Sequence, residues 1–96
     1  MNIRFSIEAV EELESLQDHI AKADPEMSSM VGHRILASIE ILRRFPYAGH
    51  IGRRKGTREL TLPRLPYIAV YKIVKNIGSP KYVALVTIIH RARDRM

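Results

Sequence analysis

The sequence predicts an α+β fold. A short N-terminal strand and an antiparallel helical hairpin should pack on a small, mostly antiparallel sheet, in the order β-α-α-β-β-β. Three observations predict it. Apolar residues recur at helical spacing twice in the first half, at Val10, Leu13, Leu16 and Ile20 and again at Met27, Val31, Ile35, Ile39 and Leu42. Asp24-Pro25 separates the two runs by too few residues for anything but a hairpin of helices. The second half then changes period: Arg58–Leu62, Tyr67–Val74 and Tyr82–Ile89 alternate as strands do, with turn residues between them.

Each element follows in order. Ile3–Phe5 reads as an edge or joining strand. Ser6 is placed to cap the first helix, with Glu8 in its first turn, where the helix dipole favours an anion. Asp24 caps the second helix, and Pro25 takes the first position, where its missing N–H costs nothing. That helix is expected to reach about Arg44, its methionines filling core gaps. Phe45-Pro46 ends it, because the residue before a proline is driven from helical conformation. Tyr47–Gly56 reads as a loop punctuated by Gly49, Gly52 and Gly56. In the first C-terminal strand Leu60 and Leu62 share a face with Arg58, while Glu59 and Thr61 point the other way. Pro63–Pro66 is a stiff connection. In the last strand Val83, Leu85, Thr87 and Ile89 alternate with Tyr82, Ala84, Val86 and Ile88. Both faces are apolar, so this strand is expected at the centre, with a partner covering the face the helices leave open.

Ninety-six residues make one domain, spanning 1–96. There is no cysteine, hence no disulfide frame and no thiolate chemistry. No apolar run approaches the roughly 18–20 residues that span a bilayer, and the N-terminus lacks a signal core. A soluble cytoplasmic protein is expected, without a membrane partner. The net charge of +6 is unevenly spread. Residues 1–40 carry three Lys/Arg against eight Asp/Glu, a balance of −5; residues 41–96 carry thirteen against two, a balance of +11. The basic half suits an anionic partner, either nucleic acid or an acidic protein segment.

Candidate chemistry gathers on that half. His90 ends the last strand between basic neighbours, and histidine exchanges protons near neutral pH. Arg58 and Arg93 could hold a phosphate through paired hydrogen bonds. Together His90, Arg58 and Arg93 would supply parts of a ribonuclease set, although no base–acid pair is evident. The alternative is that His90 only bonds locally and terminates the strand. Arg53, Arg54 and Lys55 form a loop cluster suited to phosphate or carboxylate contacts. Arg64 and Arg91 extend the basic surface, and Tyr67 and Tyr71 could stack on bases or simply pack. The histidines are dispersed, with no ligand spacing, so neither a metal nor another cofactor is expected.

Four stretches carry a family resemblance: Phe45-Pro46 followed by Gly49 and Gly52; Gly56-Thr57-Arg58-Glu59-Leu60; Pro66-Tyr67-Ile68-Ala69-Val70-Tyr71-Lys72-Ile73; and Ile89-His90-Arg91-Ala92-Arg93-Asp94. Their order and spacing over essentially the whole chain resemble the RelE/ParE superfamily of bacterial type II toxins. The resemblance implies a toxin neutralised in a hetero-oligomer by a cognate antitoxin with an acidic, amphipathic tail. It also implies one of two activities. RelE-like members cleave messenger RNA in the ribosomal A site, whereas ParE-like members inhibit DNA gyrase and need no nuclease centre. RelE-like chains carry an arginine directly after the tyrosine matching Tyr67; Ile68 stands here. Their strand lysines fall near Glu59 and Thr61, and their catalytic tail tyrosine has no counterpart after Tyr82. The ParE-like reading is therefore expected: growth inhibition by blocking gyrase, with Arg53, Arg54, Lys55, Arg58, Arg64, Tyr67, Tyr71, Arg91 and Arg93 as contact residues for target or antitoxin. The alternative is a ribosome-dependent endoribonuclease, and a third reading is a basic nucleic-acid-binding module.

Overall fold

Ser6 is the hinge on which the N-terminal half turns. In the computed structural model, which describes residues 1–92, β1 (Asn2–Phe5) leads directly into α1 (Ile7–Ala21), and Ser6 lies between them. Its hydroxyl accepts from the Ala9 amide at 3.0 Å, capping α1, and donates to the Val86 carbonyl at 2.7 Å. Its own amide donates to the Leu85 carbonyl at 3.0 Å. One side chain thus starts the helix and fixes it to the sheet.

The second helix, α2 (Pro25–Glu40), is capped by Asp24, whose side chain accepts from the Met27 amide, and it tightens into a short 3-10 turn at Ile41–Arg43. The two helices meet where Ser28 Oγ donates to the Gln17 carbonyl at 2.7 Å. Gly32 leaves room for the Gln17 side chain there, where a Cβ would overlap it.

Five strands form one sheet: β2 (His50–Ile51), β3 (Arg58–Thr61), β4 (Tyr67–Asn76) and β5 (Ser79–His90) join β1 in the spatial order β1-β5-β4-β3-β2. Only β1 runs parallel to its neighbour; the other pairings are antiparallel. The expected α+β architecture is present, and β5 is interior as its sequence implies. The two-residue β2 is an addition, since Tyr47–Gly56 reads as loop from sequence alone.

Three expectations are corrected. The first concerns the pleat of β5. Val70 pairs with Thr87 and Tyr71 with Leu85, so Val86 is a bulge without a partner. The extra residue inverts the alternation beyond it. Val83, Leu85, Ile88 and His90 therefore share the face of Ala69 and Tyr71, while Thr87 and Ile89 move to the other. The bulge also leaves the Val86 carbonyl free to accept from Ser6.

The second correction concerns the helical stripes. Val10, Met27 and Met30 are exposed, whereas Ala9 is fully buried. The α1 stripe begins one residue early because Ser6 fixes the helix start against β5. The core is built from Ala9, Ile35, Ile39, Leu42, Leu62, Tyr71, Val83, Leu85 and Ile88, with Leu13, Leu16 and Ile20 packed against it.

The third correction concerns the open sheet face. Glu59, Val70 and Thr87 are cross-strand neighbours on that face, and all three are buried within the chain itself. The centre of the face needs no partner to cover it. The larger uncovered apolar surface lies on α2 and the turn after it, at Met27, Met30, Ile41, Phe45 and Tyr47.

Ser6→Ala should destabilise the chain by about 1–2 kcal/mol, the usual value of a helix cap. Ser6→Asp keeps an acceptor for Ala9 but cannot donate to Val86, so it should recover only part of that loss. Urea unfolding of the three chains measures both steps.

Candidate functional site: a basic surface around the β2–β3 loop and the end of β5

Tyr71 sets the position of the loop that leaves α2. Its ring is fully buried on β4. Its hydroxyl donates to the Pro46 carbonyl at 2.8 Å and accepts from the Gly49 amide at 2.9 Å. The backbone passes so close that a Cβ on Gly49 would lie 2.8 Å from the tyrosine ring and from the Glu59 carbonyl. Tyr71 is therefore withdrawn from the contact surface on which the sequence placed it: it is a buried clamp.

Arg58 follows from the same turn. Its Nε donates to the Gly49 carbonyl at 3.0 Å, a terminal nitrogen reaches the Tyr47 carbonyl at 3.4 Å, and the guanidinium lies 5.4 Å from the centre of the Tyr47 ring. Arg58 is half-buried and spends its donors on the loop.

The second anchor is Glu59. It is only 5% exposed, although a short strand with apolar neighbours on the opposite face suggests a solvent-facing acid. Arg53 explains the burial. Its Nε and a terminal nitrogen donate to the two carboxylate oxygens at 3.2 and 3.1 Å, and its backbone amide adds a bond at 3.1 Å. His50 Nε2, across the β2–β3 pair, lies 3.6 Å from the same carboxylate. The Arg53 side-chain bonds hold the Glu59 carboxyl below its ordinary value of 4.5; burial opposes them, and the Arg53 amide and the charges of Arg53 and His50 add to the lowering. This site is missing from the sequence reading. The available signal is a lone acid six residues after Arg53 in an otherwise basic stretch, which spacing alone does not distinguish from a surface residue.

The third feature is the cleft between α1 and the ends of β4 and β5. Its volume is about 550 Å³. Tyr67 and His90 pair across the strands, with ring centres 5.4 Å apart and planes at 88°. Glu8, Glu12 and His19 line the cleft from α1, and Arg54 closes it from the loop. His90 Nδ1 accepts from the Ala92 amide at 3.1 Å, which leaves Nε2 to carry the proton of a neutral ring. The α1 acids in this cleft are also absent from the sequence reading, because both fall on the polar side of the helix.

The remaining candidates are dispersed. Lys55 is exposed beside Arg54 on the loop, Arg64 projects from the β3–β4 connection with a left-handed φ of 63°, and Arg91 is exposed after β5. Arg93 and Asp94 lie outside the described residues. Arg58 and His90 share a sheet face without meeting. Arg58 pairs with Tyr71 and His90 with Tyr67, so they stand about 13 Å apart along β4, on opposite neighbouring strands. Arg58 donates to the Gly49 and Tyr47 carbonyls, and the cleft that holds His90 does not include it, so the two side chains do not converge on one site. Ile68, at the position of the expected nuclease arginine, is buried. Among the described residues, no cluster of three His, Asp or Glu is placed to hold a metal ion, and no helix is long and apolar enough to cross a membrane.

Comparison with known proteins decides the family. The profile of the ParE toxin of type II toxin–antitoxin systems, parDE, matches residues 3–95. The chain belongs to the ParE toxin family. A Sinorhizobium fredii (strain NBRC 101917 / NGR234) protein, Y4kP, named as a candidate toxin, is 34% identical over 88 residues, covering 92% of this chain and 85% of that protein. The solved structure of a chromosomal ParDE toxin–antitoxin system from P. aeruginosa superposes with a TM-score of 0.81 at 25% identity, covering 94% of this chain and 95% of that one. As a ParE-family chain it is the toxin of a type II module, and such a module implies an antitoxin partner.

The Glu59 carboxyl has a lowered folded pKa, so its contribution to stability is present above the unfolded value near 4.5 and is lost as pH falls through the folded value. Thermal melting from pH 7 to pH 3 should show that loss. Glu59→Gln should lower stability at pH 7 and flatten the acid limb, because Arg53 then faces no carboxylate at any pH.

Proposed function

We propose that this ParE-family toxin inhibits growth by blocking DNA gyrase in the cytoplasm, through a basic binding surface and without hydrolytic chemistry. The observation that carries this reading is the separation of Arg58 from His90. A ribonuclease needs its phosphate clamp and its proton-transfer group around one phosphate. Here Arg58 is turned to the Tyr47–Gly49 backbone and His90 to its own cleft. Arg54, Lys55, Arg64 and Arg91 remain exposed, as a binding surface requires. Purified toxin should inhibit gyrase supercoiling. Arg54→Glu combined with Lys55→Glu should weaken that inhibition on the order of tenfold or more, with the melting temperature little changed. Failure to inhibit gyrase, together with message cleavage on translating ribosomes, would reverse the assignment.

One observation favours the endoribonuclease alternative: the cleft that holds His90 also holds Glu8, Glu12 and Arg54. His90→Ala separates the readings. It should abolish toxicity if the histidine transfers protons and preserve it if the surface only binds.

The antitoxin, in this proposal, lays an amphipathic helix along α2. Met27, Met30, Ala37 and Ile41 recur at heptad spacing on an exposed flank, with Arg34 at the middle position. An acidic residue in the antitoxin segment would pair with Arg34, in keeping with the acidic tail that the family implies. Met30→Asp should break co-purification with the antitoxin, while leaving melting of the isolated toxin unchanged because Met30 is exposed. Unaltered co-purification would place the antitoxin elsewhere.

A further inference from the structure

The β4–β5 hairpin extends beyond the sheet. β3 pairs with β4 only as far as Tyr71, and β1 meets β5 only from Tyr82. Lys72–Val74 are therefore flanked by β1 through β5 alone, and Lys75–Lys81 stand beyond both edges as a two-stranded ribbon without strand partners, roughly 7 Å tall from base to turn. Three features of this ribbon have no role in the core or in the basic loop.

The first is charge of one sign. Lys72, Lys75 and Lys81 are all exposed. Arg4 pairs with Ala84, which in turn pairs with Lys72, so Arg4 and Lys72 flank one row at the ribbon's base. The Arg4 guanidinium is held 4.0 Å above the Tyr82 ring. Among the described residues, none of these four cations takes part in an ion pair. The sequence holds no acid between Glu59 and Asp94. The hollows on the two sides of the base, of about 390 and 450 Å³, are lined by Arg4 and Lys81 on one side and Arg58 and Lys75 on the other, with no carboxylate in either.

The second feature is the tip. Ile77 is a large apolar side chain fully exposed at the turn, covered by nothing in the chain. The third is width. A bare two-stranded ribbon is of the size that the major groove of B-form DNA admits, whereas the narrow major groove of an A-form duplex does not.

We propose that the Lys75–Lys81 ribbon enters the major groove of B-form DNA, with Lys75 and Lys81 on the ribbon and Lys72 and Arg4 at its foot on phosphates, and Ile77 against the base edges. This goes beyond gyrase inhibition and does not depend on it, since binding needs only the duplex. An acidic, amphipathic protein segment would satisfy the cations and cover the tip, but it would give the ribbon's width no use.

Fluorescence anisotropy with a labelled 25-base-pair duplex tests it, using the full-length toxin. Binding should weaken with salt at a log–log slope of about −3.6, or about −0.9 for each of four phosphate contacts. Lys72→Ala, Lys75→Ala and Lys81→Ala together should bring that slope to about −0.9 and cost on the order of tenfold or more in affinity. Arg54→Ala with Lys55→Ala should change the slope little. Ile77→Ser should keep the slope and lower affinity severalfold, and it cannot act by unfolding because the side chain has no contacts to lose. Any of these results would overturn the proposal: a slope that survives in the triple-lysine variant, a slope lost in the loop variant instead, equal binding to an RNA duplex of the same sequence, or equal competition by polyglutamate at matched charge. An Ile77→Ser chain that binds as the parent does would exclude seating in the groove. Loss of DNA binding with gyrase inhibition intact would separate this surface from the one proposed above, and the converse would leave the ribbon standing alone.

Discussion

The buried Tyr71 hydroxyl is the interaction on which the basic surface depends. A phenol taken out of water needs partners, and both of its partners here are backbone groups of a single turn, Pro46 and Gly49. That turn leaves α2 and feeds β2, so one side chain sets where the helical layer hands over to the free side of the sheet. The Gly49 carbonyl is then presented to Arg58, and β2 is placed for His50 to face Glu59. Arg53 closes the structure from the far end of the same loop. The cationic loop is thereby held at two points, by a neutral clamp at one end and a buried carboxylate at the other. Holding cations in fixed positions reduces the conformational entropy lost when they meet a partner.

Ser6 does the corresponding work on the other side of the molecule. The Val86 bulge interrupts the β4–β5 ladder and leaves a carbonyl without a strand partner, and the α1 cap supplies the donor. The bulge also decides which way the end of β5 faces. Without it, His90 would share the face of Thr61 and Ile68. With it, His90 meets Tyr67 and looks toward the acids of α1. The cleft thus results from one inserted residue and one hydroxyl, which lie one and two residues before its lining at Thr87 and Glu8.

Much of this architecture was legible in the sequence, for identifiable reasons. Asp24-Pro25 and Ser6 are caps whose chemistry is local, and both act as their residue types require. The strands from Tyr67 onward are long enough for alternation to show. What was not legible depends on non-local pairing. The Val86 bulge has no signature in a run of apolar residues, so every residue after it was assigned to the wrong face. Glu59 reads as an exposed acid until Arg53 is brought over it. Tyr71 reads as an available aromatic until its hydroxyl is seen to have found the turn. The same limit explains the cleft: Glu8 and Glu12 belong to the polar side of α1, and only the sheet's register shows what they face. The family assignment escaped this limit, because it rests on the order of short motifs rather than on their contacts.

The charge division of the chain takes on a finer meaning once the elements are placed. The −5 half and the +11 half are not simply two poles, because α1 returns over the end of β5 and sets Glu8 and Glu12 opposite Arg54. Glu59 offsets Arg53 in the same region. The cationic loop is therefore partly compensated from within, and its field is short in reach. The β4–β5 ribbon receives no such compensation, since no acid occurs between Glu59 and Asp94 and the acidic helix lies at the opposite end of the strands. An uncompensated cluster on a narrow projection attracts a polyanion from farther away than a compensated loop does, within the limit of about 8 Å that physiological salt sets on exposed charges. On the two proposals above, the ribbon would govern the approach of an anionic partner, and the loop, fixed by Tyr71 and Glu59, would govern what is recognised after contact.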